Sequence, residues 1–418
     1  MQIFNYANND ARQILALGPE SNGNFSFFRD KKIYFSEDFS DLLVDANFRK
    51  FKSELNNFLK EMKAKPDIIL TDLHPLYKTT KLGKDLAKKY KAEHIQIQHH
   101  IAHIFSQIGG EIINTNSGLR VTNYELRDAF GIALDGTGYG LDEKIWGGEC
   151  FAISNFQFPI SNEFSNSNDK ISKQKIKIER IGHLENQTMI GGDLAVQEPA
   201  RMLISILSKF LSKEKTYQQI KKHYSTQEFE VLYNQLQQNF NCIETSSTGR
   251  ILDAVSILLG FCKNERKHKH EPVFALEANS AKPYSDIKPK ITTLKSNQIS
   301  NFQFPMTKFP KNDYILNTTF LFEYLIKNLH KDKSRLAATA QLYIAQGLHK
   351  IVTSYELRVT NYYIAGGISN NKIISAYFES EKNKAGTHSR TPAVQIPRGD
   401  AGLSLGQVIY YLLTNPRN

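Results

Sequence analysis

The chain has 418 residues, 40% of them hydrophobic and 11% aromatic, which is enough for globular packing in two or three lobes. Lys and Arg outnumber Asp and Glu by 53 to 42, a formal charge of +11, but the cations are spread over 50–65, 81–91, 209–222 and 263–269 and read as solvated faces. Charge alone therefore gives little support for a nucleic-acid partner; an acidic protein or a phosphorylated substrate would account for it equally well. Only three cysteines occur, Cys150, Cys242 and Cys262, without C-x-x-C spacing, which excludes a disulfide frame or cysteine zinc knuckle and points to a reducing cytoplasm. No basic start with an apolar core marks a signal peptide, and no run approaches 18 apolar residues, so no membrane span is expected.

In chain order, apolar periodicity predicts strands at 12–17 and 24–35, a helix at 42–64, a strand at 67–71 and a helix at 80–91. A strand at 94–98 then leads into a helix over 99–108 that Gly109 and Gly110 would close. Further strands are expected at 129–135 and 148–153, and helices at 194–211, 216–240, 250–261, 317–329 and 334–352. The last strands fall at 361–366 and 393–396. Residues 111–128, 154–178 and 285–312 are rich in Asn, Ser, Lys and Thr and read as surface loops. Leu-Arg-Val-Thr-Asn-Tyr occurs at 119–124 and 357–362, and Ser-Asn-Phe-Gln-Phe-Pro at 154–159 and 300–305. No fixed period accompanies these strings, so they read as insertions rather than structural repeats.

The most chemically loaded stretch begins at Gln98-His99-His100-Ile101-Ala102-His103. His99 and His103 are four apart and share one helix face, where neutral imidazoles suit Zn or Fe and leave positions for carboxylate or substrate oxygens. A pair of helix histidines without a ligand is the plain alternative. Asp135 follows the apolar run Ala129–Leu134 and precedes Gly136-Thr137-Gly138-Tyr139-Gly140, a sequence expected to turn and to bring backbone N–H groups close to phosphate or metal-bound phosphate. The competing reading is an ordinary hairpin with Asp as turn former. Ser246 and Ser247 read first as helix caps, and Arg250 and Asp253, three apart, as an ion pair of little energy.

These residues resemble the C-terminal carbamoyltransferase portion of the HypF family of [NiFe]-hydrogenase maturation proteins. The likeness runs through Leu15–Gly18, Thr71-Asp72-Leu73-His74-Pro75-Leu76-Tyr77-Lys78-Thr79-Thr80, the His99–His103 and Asp135–Gly140 segments and Trp146–Glu149. It continues in Gly191–Pro199 with Arg201, Ser246–Val255, Gly366–Asn371 and Asp400–Gln407. The resemblance implies an α/β, two-lobed actin-like (ASKHA) fold with nucleotide and metal between the lobes. A first lobe at 1–285 would carry a helical insertion over about 190–280, and a second lobe would occupy 313–418.

By the same resemblance, His99, His103, Asp135 and Asp400 would hold a divalent metal, Fe or Zn, with Mg as a companion of the nucleotide. Gly136, Thr137, Gly138, Gly192, Asp193, Glu198, Gly366, Gly367 and Asn370 would line ATP or AMP in the form of carbamoyl-adenylate. Asp135, His100 and His74 are the residues considered for catalysis, with a structural role weighed against it for both histidines. The implied reaction moves a carbamoyl group to the C-terminal cysteine thiolate of a HypE-type acceptor. Family members carry an acylphosphatase domain, zinc-finger modules and an adenylate-forming YrdC-like domain ahead of this portion, so a separate YrdC-like protein would supply the adenylate.

Three departures stand out. Ala200 replaces an aromatic before Arg201, Asn22 stands where Lys is common, and Glu271-Pro272-Val273-Phe274-Ala275 replaces Glu-Gly-Gln-Ala-Ala, with altered handling of acceptor or ligand expected. Two rival readings follow. One is a related carbamoyl or threonylcarbamoyl transferase acting on tRNA or a small molecule; the other is a catalytically degenerate nucleotide-binding interaction module.

Overall fold

The structure is a computed structural model and describes residues 1–115, 129–157, 174–295, 312–355, 362–384 and 395–415. It is a two-lobed, mixed α/β fold of the actin-like kind, built on two sheets. The first sheet uses β1 (Gln2–Asn5), β2 (Ile14–Leu17), β3 (Phe25–Arg29) and β4 (Lys32–Phe35). Helix α1 (Asp45–Glu61) follows, then β5 (Ile68–Asp72), α2 (Lys78–Tyr90), β6 (Glu93–Ile97) and the 17-residue α3 (His99–Thr115). Strand order is β1-β4-β3-β2-β5-β6, antiparallel through β2 and parallel from β2 to β6. The expected single strand at 24–35 is a hairpin, because Asp30 and Lys31 both take positive φ between β3 and β4. Helix α1 presents Phe51, Leu55, Phe58 and Leu59 to one face of this sheet, the i, i+4, i+7, i+8 stripe of a packed helix.

The second sheet opens with β7 (Ala129–Tyr139), β8 (Ile145–Gln157), β9 (Gln174–Leu184) and β10 (Gln187–Ile190). Four helices come next: α4 (Leu194–Gln197), α5 (Ala200–Leu207), α6 (Lys213–Ile220) and α7 (Thr226–Gln237). Strand β11 (Cys242–Thr245), α8 (Thr248–Leu259) and α9 (Glu271–Ala278) lead to β12 (Ile291–Lys295) and β13 (Asn312–Leu316). The chain finishes with α10 (Thr318–Lys327), α11 (Lys333–Tyr355), β14 (Tyr362–Ala365), α12 (Lys372–Lys384) and α13 (Leu403–Thr414). Strand β7 lies between β14, its parallel neighbour, and antiparallel β8. Strands from both sides of residue 285, β9 and β13, pair parallel in this sheet.

Helices α3 and α13 pack against each other between the two sheets and share one core with residues of both. Their crossing is close enough that a Cβ on Gly406 would fall 1.8 Å from the Ala102 carbonyl oxygen. Gly109 and Gly110, expected to close the helix, lie inside α3. A Cβ there would press on Ile409 and Ile396, so these glycines serve packing and the helix runs on to Thr115.

Other expectations also change. The helix foreseen at 194–211 breaks at Pro199, which lacks the N–H a helix interior needs. The one at 216–240 divides where Ser225 and Glu228 form a capping box. Three predicted loops contribute ordered edges: residues 111–115 extend α3, 154–157 and 174–178 belong to β8 and β9, and 291–295 form β12. Their parts at 116–128, 158–173 and 296–311 lie outside the described residues, as do 119–124, 300–305, 158–159 and 357–361 of the repeated strings. No strand forms at 395–396, the described end of the one expected at 393–396.

Candidate functional site

Parallel pairing of β5 and β6 sets Asp72 beside Ile97, two residues before His99 begins α3. The Asp72 Oδ2 atom lies 2.6 Å from His99 Nδ1, and its Oδ1 accepts the His74 backbone N–H at 2.8 Å. With Nδ1 so engaged, His99 turns Nε2 toward His103 Nε2 at 3.1 Å, Asp135 Oδ2 at 3.3 Å and Asp400 Oδ1 at 3.5 Å. His103 Nε2 is 3.3 Å from the same Asp400 oxygen and 3.8 Å from Asp135 Oδ2. All four donor atoms fall within 4.8 Å of one another.

A divalent ion about 2.1 Å from N and O ligands needs donor separations of roughly 3.0 to 3.4 Å, for octahedral or tetrahedral angles respectively. Four of the five spacings, 3.1 to 3.5 Å, lie within 0.1 Å of that range and the fifth is 3.8 Å, so the residues fit a metal. Two imidazoles with two carboxylates suit Fe or Zn, and the carboxylate backing His99 is the arrangement that fixes a ligating imidazole's tautomer.

The electrostatics agree. Burial is the largest influence on each group and opposes its charge. On His99 the pull of Asp72, Asp135 and Asp400 wins, and its pKa is raised well above the usual histidine value. Burial would raise Asp135 and Asp400, yet His99 and His103 hold both below the usual carboxylate range. His99, His103 and Asp135 are buried, whereas the Asp400 side chain keeps 17% of its surface exposed. The cluster therefore opens to solvent on the Asp400 side.

Asp135 does not end its strand. Strand β7 continues through Gly136-Thr137-Gly138 with a bulge between Leu134 and Gly138, and the reversal comes after Gly140. Nor do Gly136 and Gly138 take positive φ. Close approach explains Gly138, where a Cβ would fall 2.4 Å from the His100 ring and 2.9 Å from His99. At Gly136 the neighbour is Gly249, whose own Cβ would reach the Gly136 Cα at 2.9 Å, while Thr137 is exposed. Gly366 does need its freedom: at φ +94° it passes the Leu134 carbonyl so closely that a Cβ would sit 2.3 Å from the oxygen. That passage lets the Gly367 N–H donate to Asp135 Oδ1 at 3.2 Å.

The remaining expected residues divide. Gly192 and Asp193, with Gly191, Leu194, Gln197, Asn241 and Ile243, line an open cleft of about 460 Å³. Glu198 is held by Arg201 at 2.9 Å and the Tyr224 hydroxyl at 2.7 Å. Asn370 is exposed with its amide 3.4 Å from the Gly367 carbonyl oxygen, whereas neighbouring Asn371 is buried against Gln341 and Glu277. His100 is sealed from solvent, its Nδ1 3.0 Å from Gln98 Nε2, and burial followed by the His99 charge pushes its pKa well down. His74 is half-buried at the end of β5 and stacks on Tyr77 at 4.2 Å; burial again lowers its pKa.

Ser247 caps α8 as expected, accepting the Arg250 N–H at 3.1 Å, and its hydroxyl also reaches the Gly136 carbonyl. Arg250 and Asp253 pair at 2.7 Å, but inside the protein and with Arg266 as a third member, so theirs is no weak surface pair. Asp72 stands in the Thr71–Thr80 segment and Lys269 ends the 263–269 run, but the sequence reading assigns neither of them, nor Arg266, to the site. For Asp72 the signal was present, an acid at a strand end two residues before His74.

Residues 9–109 match the family described as the HypF Kae1-like domain, and residues 131–166 and 171–407 match the carbamoyltransferase Kae1-like domain, second subdomain. The chain is 36% identical over 97% of its length to the probable carbamoyltransferase HypF of Methanocaldococcus jannaschii, covering 47% of that protein. It is 24% identical to a carbamoyltransferase HypF homolog of Cupriavidus necator, over 96% of this chain and 92% of the relative. The crystal structure of T.kodakarensis HypF superimposes with a TM-score of 0.75 and 27% identity, over 98% of this chain and 49% of that one. A full-length HypF in phosphate- and nucleotide-bound form gives a TM-score of 0.77 at 21% identity, over 100% of this chain and 58% of that one, a likeness of fold. The chain thus spans about half the length of most of the curated HypF relatives that it matches along its whole length.

Proposed function

Because the chain belongs to the HypF Kae1-like carbamoyltransferase family, we propose that it transfers a carbamoyl group from carbamoyl-adenylate to the C-terminal cysteine thiolate of a HypE-type acceptor. The observation that carries this reading is the convergence of His99, His103, Asp135 and Asp400 on one point that opens on one side. Those four residues would hold a divalent ion, Fe or Zn, with Mg accompanying the nucleotide. When bound, the ion supplies Lewis-acid stabilisation of charge growing on the adenylate phosphate.

The protein's own groups do the rest. Asp72 keeps His99 in one tautomer. The Gly367 N–H steadies Asp135 from the other side and, with Gly136, Thr137, Gly138, Gly366 and Asn370, edges the nucleotide's place. The cleft at Gly192 and Asp193 suits the adenylate ribose, and Glu198, tied to Arg201, braces its wall. His74, half-buried beside Tyr77, is the better placed of the two spare histidines to handle a proton, because His100 is sealed and serves packing. A separate YrdC-like protein supplies the adenylate in this scheme, and the reaction belongs in the cytoplasm. No described helix is long and apolar enough to cross a membrane, and all three cysteines are free.

Metal-loaded protein mixed with carbamoyl-adenylate and a HypE-type acceptor should add one carbamoyl mass to the acceptor's tail cysteine, and His103→Ala should abolish the adduct. Normal nucleotide binding with no adduct would overturn the transferase reading in favour of a binding module.

A further inference from the structure

The cationic run Lys263–Lys269, which reads from sequence as a solvated face, is fastened over the open side of the metal-ligand cluster. Arg266 does the fastening. Its main-chain N–H donates to the Gln197 carbonyl oxygen at 3.0 Å, and its guanidinium binds Asp253 and the Lys269 carbonyl oxygen. The Arg266 side chain is only 6% exposed, and Asp253 is fully buried between it and Arg250. At the far end of the run, Glu271 begins α9, with Pro272 in its first turn, and the Glu271 carboxylate accepts the Lys267 N–H. This bracing delivers Lys269 Nζ to 3.9 Å from Asp400 Oδ2, on the one ligand that is not fully buried, with half of the lysine side chain still in solvent. His270 follows, near enough that Asp400 and Asp135 oppose the burial that lowers its pKa.

Charge counting gives the lysine a purpose. With neutral imidazoles, a divalent cation beside Asp72, Asp135 and Asp400 leaves the centre one negative charge in excess, which would repel a phosphate. One ammonium at the mouth removes that excess and provides up to three hydrogen-bond donors. Resting on the adenylate reading above, we infer that Lys269, held in place by Arg266, is a binding residue for the phosphate of the nucleotide substrate. It exchanges its contact with Asp400 for a phosphate oxygen when the substrate arrives. This role falls beside the 271–275 segment where the chain departs from its relatives' pattern.

Calorimetric titration of the intact, metal-loaded protein with AMP, inorganic phosphate and adenosine tests the inference without any transfer assay. Lys269→Gln should weaken AMP and phosphate roughly 3- to 10-fold, as expected for a half-exposed charge-assisted contact, and leave adenosine unchanged. Lys269→Arg should restore most of the loss, and the salt dependence of AMP binding should flatten in Lys269→Gln. Equal weakening of AMP and adenosine would overturn the role, because it would mean that the loop only shapes the cleft. Unchanged AMP affinity, or no phosphate-dependent binding by the unaltered protein, would overturn it as well. If the acceptor stays uncarbamoylated while Lys269→Gln selectively loses AMP, the transfer reading fails and the phosphate contact stands.

Discussion

Two buried ionic networks, one across β8 and β9 and one gathered around Asp135 on neighbouring β7, differ in what their charges face. In the first, Arg180 Nε sits 2.6 Å from Glu149 Oε2, the guanidinium covers Trp146 at 4.2 Å, and the Ser246 hydroxyl takes the other Glu149 oxygen. Every charge there meets its opposite, and the network is complete as it stands. In the second, the lone pairs of His99, His103, Asp135 and Asp400 face one another across spacings near 3.3 Å. Only a proton or a cation between them relieves that arrangement. Burial and charge are common to both, so neither marks the site; the direction of the donor atoms does.

Breaking the self-satisfied network should cost the most stability. Arg180→Met strands a buried carboxylate, and urea unfolding should show a loss of about 3–5 kcal/mol while metal content is kept. Equal metal loss in that variant would erase the distinction between the two networks. In the converse experiment, His103→Ala should lower metal affinity more than about 100-fold, read by chelator competition, with a smaller change in the metal-free unfolding midpoint. Next in size is Asp72→Asn, which leaves every ligand in place but removes the carboxylate behind His99, for roughly 10- to 100-fold in metal affinity.

Proton occupancy sharpens the comparison with the smallest effect. In the metal-free protein the folded pKa of His99 is raised, so its stabilisation is complete below the ordinary 6.5 and is lost as pH climbs through the raised value. His100, held neutral first by burial and then by His99, acts in the opposite sense. Below 6.5 the unfolded chain binds a proton that the folded one refuses, and stability falls. The lowered Asp135 and Asp400 add stability above 3.8 that is lost as pH falls below it. The site's contribution should therefore peak near pH 6.5 without metal and decline on either side by about 1.4 kcal/mol per pH unit per proton. Urea midpoints from pH 5 to 9, with and without Zn, should show the decline above 6.5 disappear when the ion replaces the proton. A metal-free curve still rising through pH 8 would mean that His99 holds no extra proton.

Much of this was legible one element at a time. The spacing of His99 and His103 gave their shared face, Ser247 announced its helix, and α1 displayed its stripe. Pro199, the Ser225–Glu228 box and the Ile176, Ile178 alternation were plain signals that coarser segment boundaries passed over. Other features had no local sign. The run of α3 through Gly109 and Gly110 depends on Ile409 and Ile396 in another part of the chain. The bulge at Asp135 depends on its pairing with β8, and the service of Lys269 to Asp400 on a clamp anchored at Asp253.

By itself the sequence determined which side chains could ligate, cap and line a helix face, because those properties depend on residues within a turn or two. Tertiary structure alone decided that His99, Asp135 and Asp400 meet, that Asp72 backs the first of them, and that one side stays open. The physical reason is packing. Helices α3 and α13 cross so closely between the two sheets that their ends, far apart in the chain, have one arrangement in which the donors converge.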